Sequence, residues 1–326
     1  MKILIITEQR EGKTNPVSAE TLAAAQQIAA AQPGSRVAGI VIGKGVRGLA
    51  EELAASQLAE VLLVEHDLLE RYTPDAYSIS LRQAITQSQP ELVLLPHTYQ
   101  VRDYAPKLAA SLGKGMIADC VGYRAEKERV VFVRQMFQGK TAADVSFLGG
   151  PPWFVSFQAG AFRGDQVARG SAAAPITPVK IDLQPEQIRT KPLELFREAK
   201  QAVDLTQAPI LVAIGRGIKA PENIPMAEKL AKLMGGELAA SRPICDEGWL
   251  PMDRQIGSSG QTVAPKLYLA LGISGAIQHV VGMKGSRTIV AINKDQNAPI
   301  FEVADYGIVG DIFELIPALT EALEKK

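Results

Sequence analysis

The sequence predicts an α/β chain of two domains, each built around a mainly parallel sheet. Three observations point to this fold class. Short apolar runs rich in β-branched residues alternate with stretches of helical spacing, the alternation restarts at Pro209 after a segment without periodicity, and 326 residues exceed the usual length of one domain. Nearly continuous apolar strands are typical of sheets that crossover helices cover on both faces.

The composition excludes several classes of protein. Apolar residues make up 47% of the chain, enough for a sizeable core, and Lys plus Arg equals Asp plus Glu at 35 each. This neutral balance argues against nucleic acid or an anionic membrane as the main partner. Cys120 and Cys245 are too far apart in sequence to indicate a disulfide framework, and no run of about 18 apolar residues predicts membrane insertion. We therefore expect a cytoplasmic protein.

The first half alternates strand and helix signals. Strands are predicted at KILIIT (2–7), RVAGIVIG, VLLVEH and ELVLLPH. Helices are predicted over PVSAETLAAAQQIAAAQPG and at about 45–56, 77–88 and 99–115. Residues 119–147 then read as alternating strands with polar turns, followed by PPWFVSFQAGAF, which indicates an antiparallel or mixed addition to the sheet. Residues 165–205 lack periodicity and are interpreted as a connecting region.

The second half repeats the alternation. Strands are predicted at APILVAI, GELAAS, KLYLALGI, TIVAIN and ADYGIV, and helices over PMAEKLAKLMGG, from Ser274, and at the C-terminus, with a loop from Pro243 to Gln261. These strands end in Gly, Ser, Asn or Asp. Because ligands bind at the carboxyl ends of strands in open α/β sheets, that edge is the predicted binding site.

The first motif at this edge is IGRGIKA (214–220), a G-x-G-x-x-A sequence after a strand. Read as a dinucleotide fingerprint, it would need a helix at once and an acidic residue after the next strand. Pro221 and Pro225 delay the helix, and the next strand ends at Arg242 without an acid. The alternatives are a tight left-handed turn that only glycine tolerates, or a turn that projects Arg216 toward a phosphate.

The other motifs each allow a structural and a functional interpretation. The loop SRPICDEGWLPMDRQIGSSGQ (241–261) is either a flexible linker or a segment that wraps a ligand. A helix that starts at Ser274 and Gly275 provides an anion site, although Ser274 also suits a simple N-cap. Asn293 and Asp311 either cap turns or contact a ribose and an adenine. His66, His97 and His279 have no metal-ligand spacing, so neither a metal site nor a catalytic residue is predicted.

The second domain resembles the α subunit of electron-transfer flavoproteins. The resemblance is carried by KLYLALGISGAIQHVVGMKGSRTIVAINKDQNAPIFEVADYGIVGDIF, with GRGIK and SRPICDEGWLP upstream, and is dense over about 209–320. It implies an N-terminal α/β nucleotide-hydrolase-like domain with an added β section (1–190), which pairs with a β subunit. It also implies a C-terminal parallel-sheet FAD-binding domain (191–326) that holds one noncovalent FAD.

The resemblance also implies the FAD-binding residues. Arg216 would approach the pyrophosphate region, Ser241 and Arg242 would lie beside the isoalloxazine, and Ser259 would offer its hydroxyl toward N5. His279 would lie near O2, and Asn293, Asp311 and Ile312 would hold the adenosine end. The complete implied set is Arg216, Ser241, Arg242, Ile256, Gly257, Ser258, Ser259, Ser274, Gly275, Ala276, Ile277, Gln278, His279, Asn293, Asp311 and Ile312.

The residue types suit a cofactor whose charge becomes more negative on reduction. One positive charge at about 4 Å contributes roughly 4 kcal/mol at an effective dielectric of about 20, which solvent reduces. Arg242 and His279 are therefore predicted to tune the electron affinity of the flavin. The chain departs from the family in its loop, where Gly-Ser-Ser-Gly-Gln (257–261) replaces Gly-Gln-Thr-Gly-Lys or Gly-Gln-Ser-Gly-Lys. The hydroxyl of Ser259 is kept, but an amide at 258 and a lysine charge at 261 are lost.

The function implied is a redox carrier subunit rather than a stand-alone enzyme. FAD would take electrons from flavin dehydrogenases, such as the acyl-CoA dehydrogenases of fatty acid β-oxidation, and pass them to a quinone oxidoreductase or similar acceptor. An alternative within the family is the α subunit of an electron-bifurcating complex that uses NADH. Outside it, an NAD-dependent dehydrogenase built on IGRGIKA and a nonredox adenine-nucleotide-binding protein remain open.

Overall fold

The computed structural model describes residues 1–10, 12–126, 129–137, 139–192 and 204–325. The chain divides into two compact units, Met1–Phe196 and Arg197–Lys326. The domain boundary predicted between residues 190 and 191 lies close to this division and stays a prediction. The two units are described separately below.

The first unit is an α/β structure around one large sheet. Its strands are β1 (Lys2–Ile6), β2 (Gln9–Arg10), β3 (Lys13–Thr14), β4 (Arg36–Gly43), β5 (Glu60–Glu65), β6 (Leu92–Pro96), β7 (Met116–Ala125), β8 (Val130–Met136), β9 (Thr141–Val145), β10 (Trp153–Phe157) and β11 (Ile176–Pro178). Its helices are α1 (Pro16–Ala31), α2 (Arg47–Ala54), α3 (Pro74–Ser88) and α4 (Tyr99–Ser111). Side chains of Asn15, Thr73 and Thr98 cap the N-termini of α1, α3 and α4.

The order of strands in this sheet is β11-β5-β4-β1-β6-β10-β7-β8-β9. Neighbours from β11 through β7 pair in parallel, whereas β7, β8 and β9 pair antiparallel. The predicted antiparallel addition is therefore β7 to β9, which extends the same sheet. The connecting region predicted over 165–205 was wrong in one part, because Ile176–Pro178 forms an edge strand on β5. Residues 193–203 of that prediction lie outside the described residues.

The second unit contains six strands and four α-helices among its described residues. The strands are β12 (Ile210–Ile214), β13 (Glu237–Ser241), β14 (Gln255–Ile256), β15 (Leu267–Leu271), β16 (Ile289–Asn293) and β17 (Tyr306–Val309). The helices are α5 (Ile224–Leu233), α6 (Arg242–Asp246), α7 (Ile277–Val281) and α8 (Ile312–Glu324). The predicted loop from Pro243 to Gln261 was wrong in part, because it contains most of α6 and the short strand β14.

The second sheet has the order β14-β13-β12-β15-β16-β17, and every neighbouring pair is parallel. Its two faces bury separate apolar clusters, one around Val212, Ile214 and Leu230 and one around Leu211, Tyr268 and Met283. This arrangement explains the unbroken apolar strands in the sequence. Because all six strands run the same way, their carboxyl ends meet at one edge of the sheet. The two-domain α/β fold class predicted from the sequence is confirmed.

Two kinds of feature are not found in the described ranges. No helix there is both long and apolar enough to cross a membrane. No three His, Cys, Asp or Glu side chains come together there as a possible metal-binding group.

Candidate functional site

The predicted site residues lie along the carboxyl edge of the second sheet. Arg216 follows β12, Ser241 ends β13 and Arg242 comes directly after it. Residues 256–259 lie at the end of β14 and in the loop after it, and residues 274–279 follow β15. Asn293 ends β16, and Asp311 and Ile312 follow β17. Their distribution over six strands means that no local sequence motif contains the whole site. Parallel pairing brings these strand ends to a common edge.

The turn after β12 approaches the turn after β15 closely. Gly217 donates its N–H to the carbonyl of Gly272 at 3.1 Å, and a Cβ atom at Gly217 would lie 2.6 Å from the Cα of Gly272. The left-handed interpretation of this turn was wrong, because Gly215 has φ −117° and Lys219 carries the positive φ of 66°. Glycine is needed here for close approach of two backbones. The side chain of Arg216 is exposed at the tip of this turn.

Arg242 begins α6 and lies at the surface, directly after the buried Ser241 that ends β13. Its Nε atom is 3.1 Å from the carboxylate of Asp246, one turn along the helix, and its side chain is 66% exposed. An exposed ion pair of this kind restrains a side chain weakly. The guanidinium is therefore free to move from Asp246 to a ligand at the sheet edge.

The loop after β14 is held by polar contacts around Gln255, whose side chain is buried. Gln255 donates from Nε2 to the Oγ of Ser259 at 3.0 Å. Because this contact uses Oγ as an acceptor, the hydroxyl proton of Ser259 is left for another acceptor. Gln261 turns its amide back to the carbonyl of Asp253 at 2.5 Å. The side chain at 261, where the resemblance implies a lysine, is thus part of the loop's internal bonding.

The loop after β14 is also joined to the segment after β15. Ser258 donates its backbone N–H to the carbonyl of Gln278 at 2.7 Å. A Cβ atom at Gly257 would lie 2.8 Å from that same carbonyl. The structure therefore brings together two of the predicted groups of site residues, 256–259 and 274–279.

The segment 274–279 differs from its prediction. The predicted helix from Ser274 was wrong, because α7 begins at Ile277 with Ala276 as its N-cap residue and is only five residues long. Gly275 has φ 88°, which a helix does not allow, and Ser274 does not cap the helix. Among the described residues, no acceptor is bonded to the backbone N–H groups of five consecutive residues: Ser274, Gly275, Ala276, Ile277 and Gln278. Consecutive unbonded N–H groups of this kind are a feature that anion sites use.

Gly275 is fixed by its neighbours as well as by its backbone angle. A Cβ atom added there would overlap the backbone nitrogen of Ile300, which itself donates to the carbonyl of Ser274 at 3.1 Å. The segment from Ser274 to Ala276 is thus packed against the turn that contains Ile300. This contact holds the row of N–H groups in place.

His279 lies at the end of this row with only 6% of its surface exposed. Its Nε2 atom is 2.9 Å from the hydroxyl of Tyr268, a fully buried residue of β15. Burial lowers the pKa of His279 from 6.5 to about 4, an effect that the backbone of Ile256 partly opposes. Among the described residues, no atom is placed to form a hydrogen bond of ordinary geometry with Nδ1. His279 is therefore neutral at pH 7, so the tuning role predicted for it requires a hydrogen-bond donor rather than a positive charge.

The residues at β16 and β17 are engaged in structural contacts. Asn293 donates to the carbonyl of Ile273 at 2.9 Å and accepts from the N–H of Asp295 at 3.0 Å. Asp311 caps α8 through the N–H of Phe313 and pairs with Lys294 at 2.6 Å, which lowers the pKa of Asp311. Both residues therefore act as caps, one of their two predicted interpretations. The side chain of Ile312 is buried in the core, so only its backbone faces the edge.

Sequence reasoning missed Tyr268, Gln255 and Lys294. Tyr268 is a polar-tipped residue inside a strand that otherwise reads as apolar, and this is the signal that marked it, whereas Gln255 lies in the predicted loop and no local pattern marks it. Lys294 is next to Asn293, and its pairing with Asp311 depends on the register of β16 with β17, which no local pattern encodes.

Two profiles of known protein families match this chain. One, described as "Electron transfer flavoprotein domain", covers residues 3–183, and the other, described as "Electron transfer flavoprotein FAD-binding domain", covers residues 204–284. The second range contains most of the strand ends and the loops at 256–261 and 274–279.

Curated proteins from several bacteria match along nearly the whole chain. The electron transfer flavoprotein subunit alpha of Thermoanaerobacterium thermosaccharolyticum is 38% identical over 324 residues, covering 99% of this chain and 98% of the relative. The protein of the same name from Bacillus subtilis is 38% identical over 327 residues, with the same coverage. A protein of Anaerotignum propionicum named acryloyl-CoA reductase electron transfer subunit beta is 35% identical, covering 99% of this chain and 95% of the relative.

Proposed function

The chain belongs to the electron transfer flavoprotein family as an alpha subunit, and on that premise we propose that it carries electrons from a flavin-containing dehydrogenase to a separate acceptor. FAD is the cofactor of its C-terminal domain. We propose acyl-CoA dehydrogenases as donors and a quinone oxidoreductase or similar protein as acceptor. The chain would act as a carrier subunit, and a cytoplasmic location stays a prediction from its two separated cysteines.

One observation supports the proposed site above the others. In the part of the chain that the structure describes, the row of unbonded N–H groups from Ser274 to Gln278 ends at His279, whose Nδ1 atom is buried without a hydrogen-bond partner of ordinary geometry. An FAD molecule has a pyrophosphate that accepts hydrogen bonds from backbone N–H groups, and a flavin ring with acceptor atoms. In one FAD molecule, the pyrophosphate would accept from the row of N–H groups and the flavin ring would accept from His279. A nucleotide without a flavin would leave the Nδ1 atom unpaired.

Bound FAD supplies the redox chemistry, and the residues of this chain position it and stabilise its charge. The hydroxyl proton of Ser259 is available to an acceptor because Gln255 already bonds its oxygen. Arg242 provides a mobile positive charge at the same edge, and Arg216 provides a second one beside the turn at Gly217. His279 adds a neutral donor. Electron transfer of this kind needs no residue as a general base.

The adenosine end is proposed to lie against the ends of β16 and β17. The side chains of Asn293 and Asp311 already form cap hydrogen bonds, but each can form more. Asn293 has a second amide N–H to donate, and the carboxylate of Asp311 has further lone pairs that accept. The backbone of Ile312 completes this proposed end of the site. The assignments of Arg216, Ser241 and Ile256 to FAD contacts also rest on the family resemblance.

Members of this family normally pair with a beta subunit, and we propose that the first unit of this chain makes that heterodimer. The test is to co-express the chain with its beta partner and record the visible spectrum and the FAD content. We expect a yellow complex that an acyl-CoA dehydrogenase and its substrate reduce. A colourless complex that binds NAD would favour the dehydrogenase built on IGRGIKA. Nucleotide binding that survives deletion of residues 205–326 would favour a nonredox nucleotide-binding protein.

A second candidate function is membership of an electron-bifurcating complex that uses NADH. The observation that favours it is the similarity to a protein that is named as an electron transfer subunit of acryloyl-CoA reductase. The two functions differ in the partner subunit. Two FAD per heterodimer and reduction by NADH would support bifurcation, whereas one FAD and no reaction with NADH would support the carrier.

A further inference from the structure

Tyr268 and His279 form a buried polar pair inside the apolar face of the second sheet. The Tyr268 hydroxyl is 2.9 Å from Nε2 of His279, and the two rings meet edge to face with centroids 6.1 Å apart. Tyr268 has no exposed surface and lies among Leu211, Ile256 and Met283. Within the described part of the chain, its hydroxyl bonds no other group. The orientation of this one hydrogen bond therefore decides where both protons lie.

The two possible orientations leave different numbers of buried polar atoms unpaired. If Tyr268 donates to Nε2, the neutral ring carries its proton on Nδ1, and that N–H alone lacks a partner. If Nε2–H donates to Tyr268, both the phenol proton and the Nδ1 lone pair lack partners. One additional buried unpaired polar atom disfavours the second arrangement by about tenfold. The nearby backbone of Ile256 acts on the ring in the direction expected for an acceptor that faces an N–H.

We infer that Tyr268 is a positioning residue, whose hydroxyl donates to Nε2 of His279 and holds the ring as the Nδ1–H tautomer. The Nδ1–H group is then buried without an acceptor of ordinary hydrogen-bond geometry among the described residues, and an acceptor on a ligand at the edge between the loop 257–261 and the row of N–H groups at 274–278 would satisfy it. That this ligand is FAD rests on the proposed function above. The tautomer itself depends only on the pair.

The test of the tautomer uses the three histidines of the chain. The full chain with its beta partner is labelled with ¹⁵N-histidine, and the ring nitrogens are observed by two-bond ¹H–¹⁵N correlation at pH 7, with FAD removed. His279→Gln identifies the signal. We expect the Nδ1–H form to exceed the other by about tenfold in the native protein, and this ratio to fall by about fivefold or more in Tyr268→Phe. Tyr104→Phe, which removes another buried phenol, should leave the ratio unchanged.

Two outcomes of this experiment would overturn the inference. One is a native His279 that carries its proton on Nε2. The other is a Tyr268→Phe protein that is folded, as shown by unchanged signals from His66 and His97, and has the native tautomer ratio. Neither outcome involves FAD, so the proposed function would stand independently of it.

The second measurement asks whether the tautomer acts on the cofactor. With FAD bound, the midpoint potential is measured in the native protein, in Tyr268→Phe, in His279→Gln and in the double variant. Because Tyr268 acts through His279, its substitution should lower the potential in the native background and have no further effect in His279→Gln. Equal effects of Tyr268→Phe in both backgrounds would show a general structural role and overturn the positioning role. A complex that binds no FAD would refute the proposed function and leave the tautomer result valid.

Discussion

The backbone N–H of Ser258 donates to the carbonyl of Gln278 across 2.7 Å, which joins the loop after β14 to the segment after β15. The two backbones meet here without intervening side chains, since a Cβ atom at Gly282 would lie 2.5 Å from the nitrogen of Gly257. One segment provides the proposed flavin contact of Ser259, and the other provides the row of N–H groups. Their spacing therefore affects both ends of the proposed cofactor site.

Gly282→Ala is expected to weaken FAD binding by about tenfold or more. Gly282 has φ −80° and ψ −11°, angles that alanine adopts without strain, so the added methyl acts only as a wedge between the two segments. Forcing a methyl into packed backbone costs roughly 1–3 kcal/mol, which corresponds to about fivefold to more than a hundredfold in binding. Fluorescence titration of the apoprotein with FAD measures the change.

Val281→Ala is the matched control for this wedge, because it changes the neighbouring residue by removing methyl groups. FAD should bind Val281→Ala within about twofold of native. A Gly282→Ala protein with native affinity for FAD would show that the spacing of the two segments is unimportant.

The positions of the site residues were largely predictable, but their contacts were not. The rule that ligands bind at the carboxyl edge of a parallel sheet predicted from strand patterns that Arg216 and Asn293 lie at one edge, whereas Arg242 was assigned through the family resemblance. The pairing of Gly217 with Gly272 joins turns that are distant in sequence, and no local pattern records which turns touch. The helix expected from Ser274 failed for the same reason, since the turn at Ile300 holds Gly275 in a left-handed conformation.

Gly275→Ala is expected to disrupt the site more than left-handed backbone strain alone would. Alanine at positive φ costs about 1–2 kcal/mol, and at this position its Cβ also overlaps the nitrogen of Ile300. Gly248→Ala is the control, because Gly248 has a similar φ of 70° but open space around its Cβ position. Urea denaturation and FAD titration should show a loss of about 1–2 kcal/mol and normal binding for Gly248→Ala, with a larger loss and failed FAD binding for Gly275→Ala. Equal losses of stability and equal FAD binding in the two variants would show that the overlap with Ile300 has no effect.

Arg242→Ala is expected to lower the midpoint potential of bound FAD by about 40 mV. A desolvated charge would have an effect several times larger, but the side chain is 66% exposed, so about 1 kcal/mol is the appropriate scale. Redox titration of the complex measures this shift. Arg242→Lys keeps the charge and should recover most of the potential, whereas Asp246→Ala, which removes the competing partner, should leave it native or slightly higher. An unchanged potential in Arg242→Ala would contradict the tuning role.

The charge state of the other predicted tuner depends on burial, which the sequence did not reveal. A histidine after Gly-Ala-Ile-Gln looks exposed at the start of a helix, yet His279 is turned into the core beneath Tyr268. Removing the ring from water favours its neutral form, and only the tertiary structure contains this information.

The buried His279 should make the second unit less stable as the pH falls from 6.5 to about 4. Its pKa is 6.5 when unfolded and about 4 when folded, so in this window the unfolded chain binds more protons. The stability that depends on neutral His279 is complete above pH 6.5 and is lost by about pH 4, by about 3 kcal/mol in total. Urea denaturation followed by Trp249, in a Trp153→Phe background, reports on this unit. The native-minus-variant difference for His279→Gln should fall across this window, and a constant difference would contradict the assignment.

Glu20 in the first unit should give the opposite dependence. Burial raises its pKa from 4.5 to about 7, although the N–H of Gly160 donates to its carboxylate at 2.7 Å and opposes the shift. The folded unit therefore holds a proton that the unfolded chain releases. The stability that depends on this proton is complete below pH 4.5 and is lost as the pH rises to about 7.

Glu20→Gln keeps the acceptor for Gly160 and removes the charge, so it should stabilise the unit by up to about 3 kcal/mol at pH 8 and have little effect at pH 4.5. Denaturation followed by Trp153 in a Trp249→Phe background measures this, with the exposed Glu52→Gln as control. A Glu20→Gln protein no more stable than Glu52→Gln at pH 8 would show that folding does not raise the pKa of Glu20.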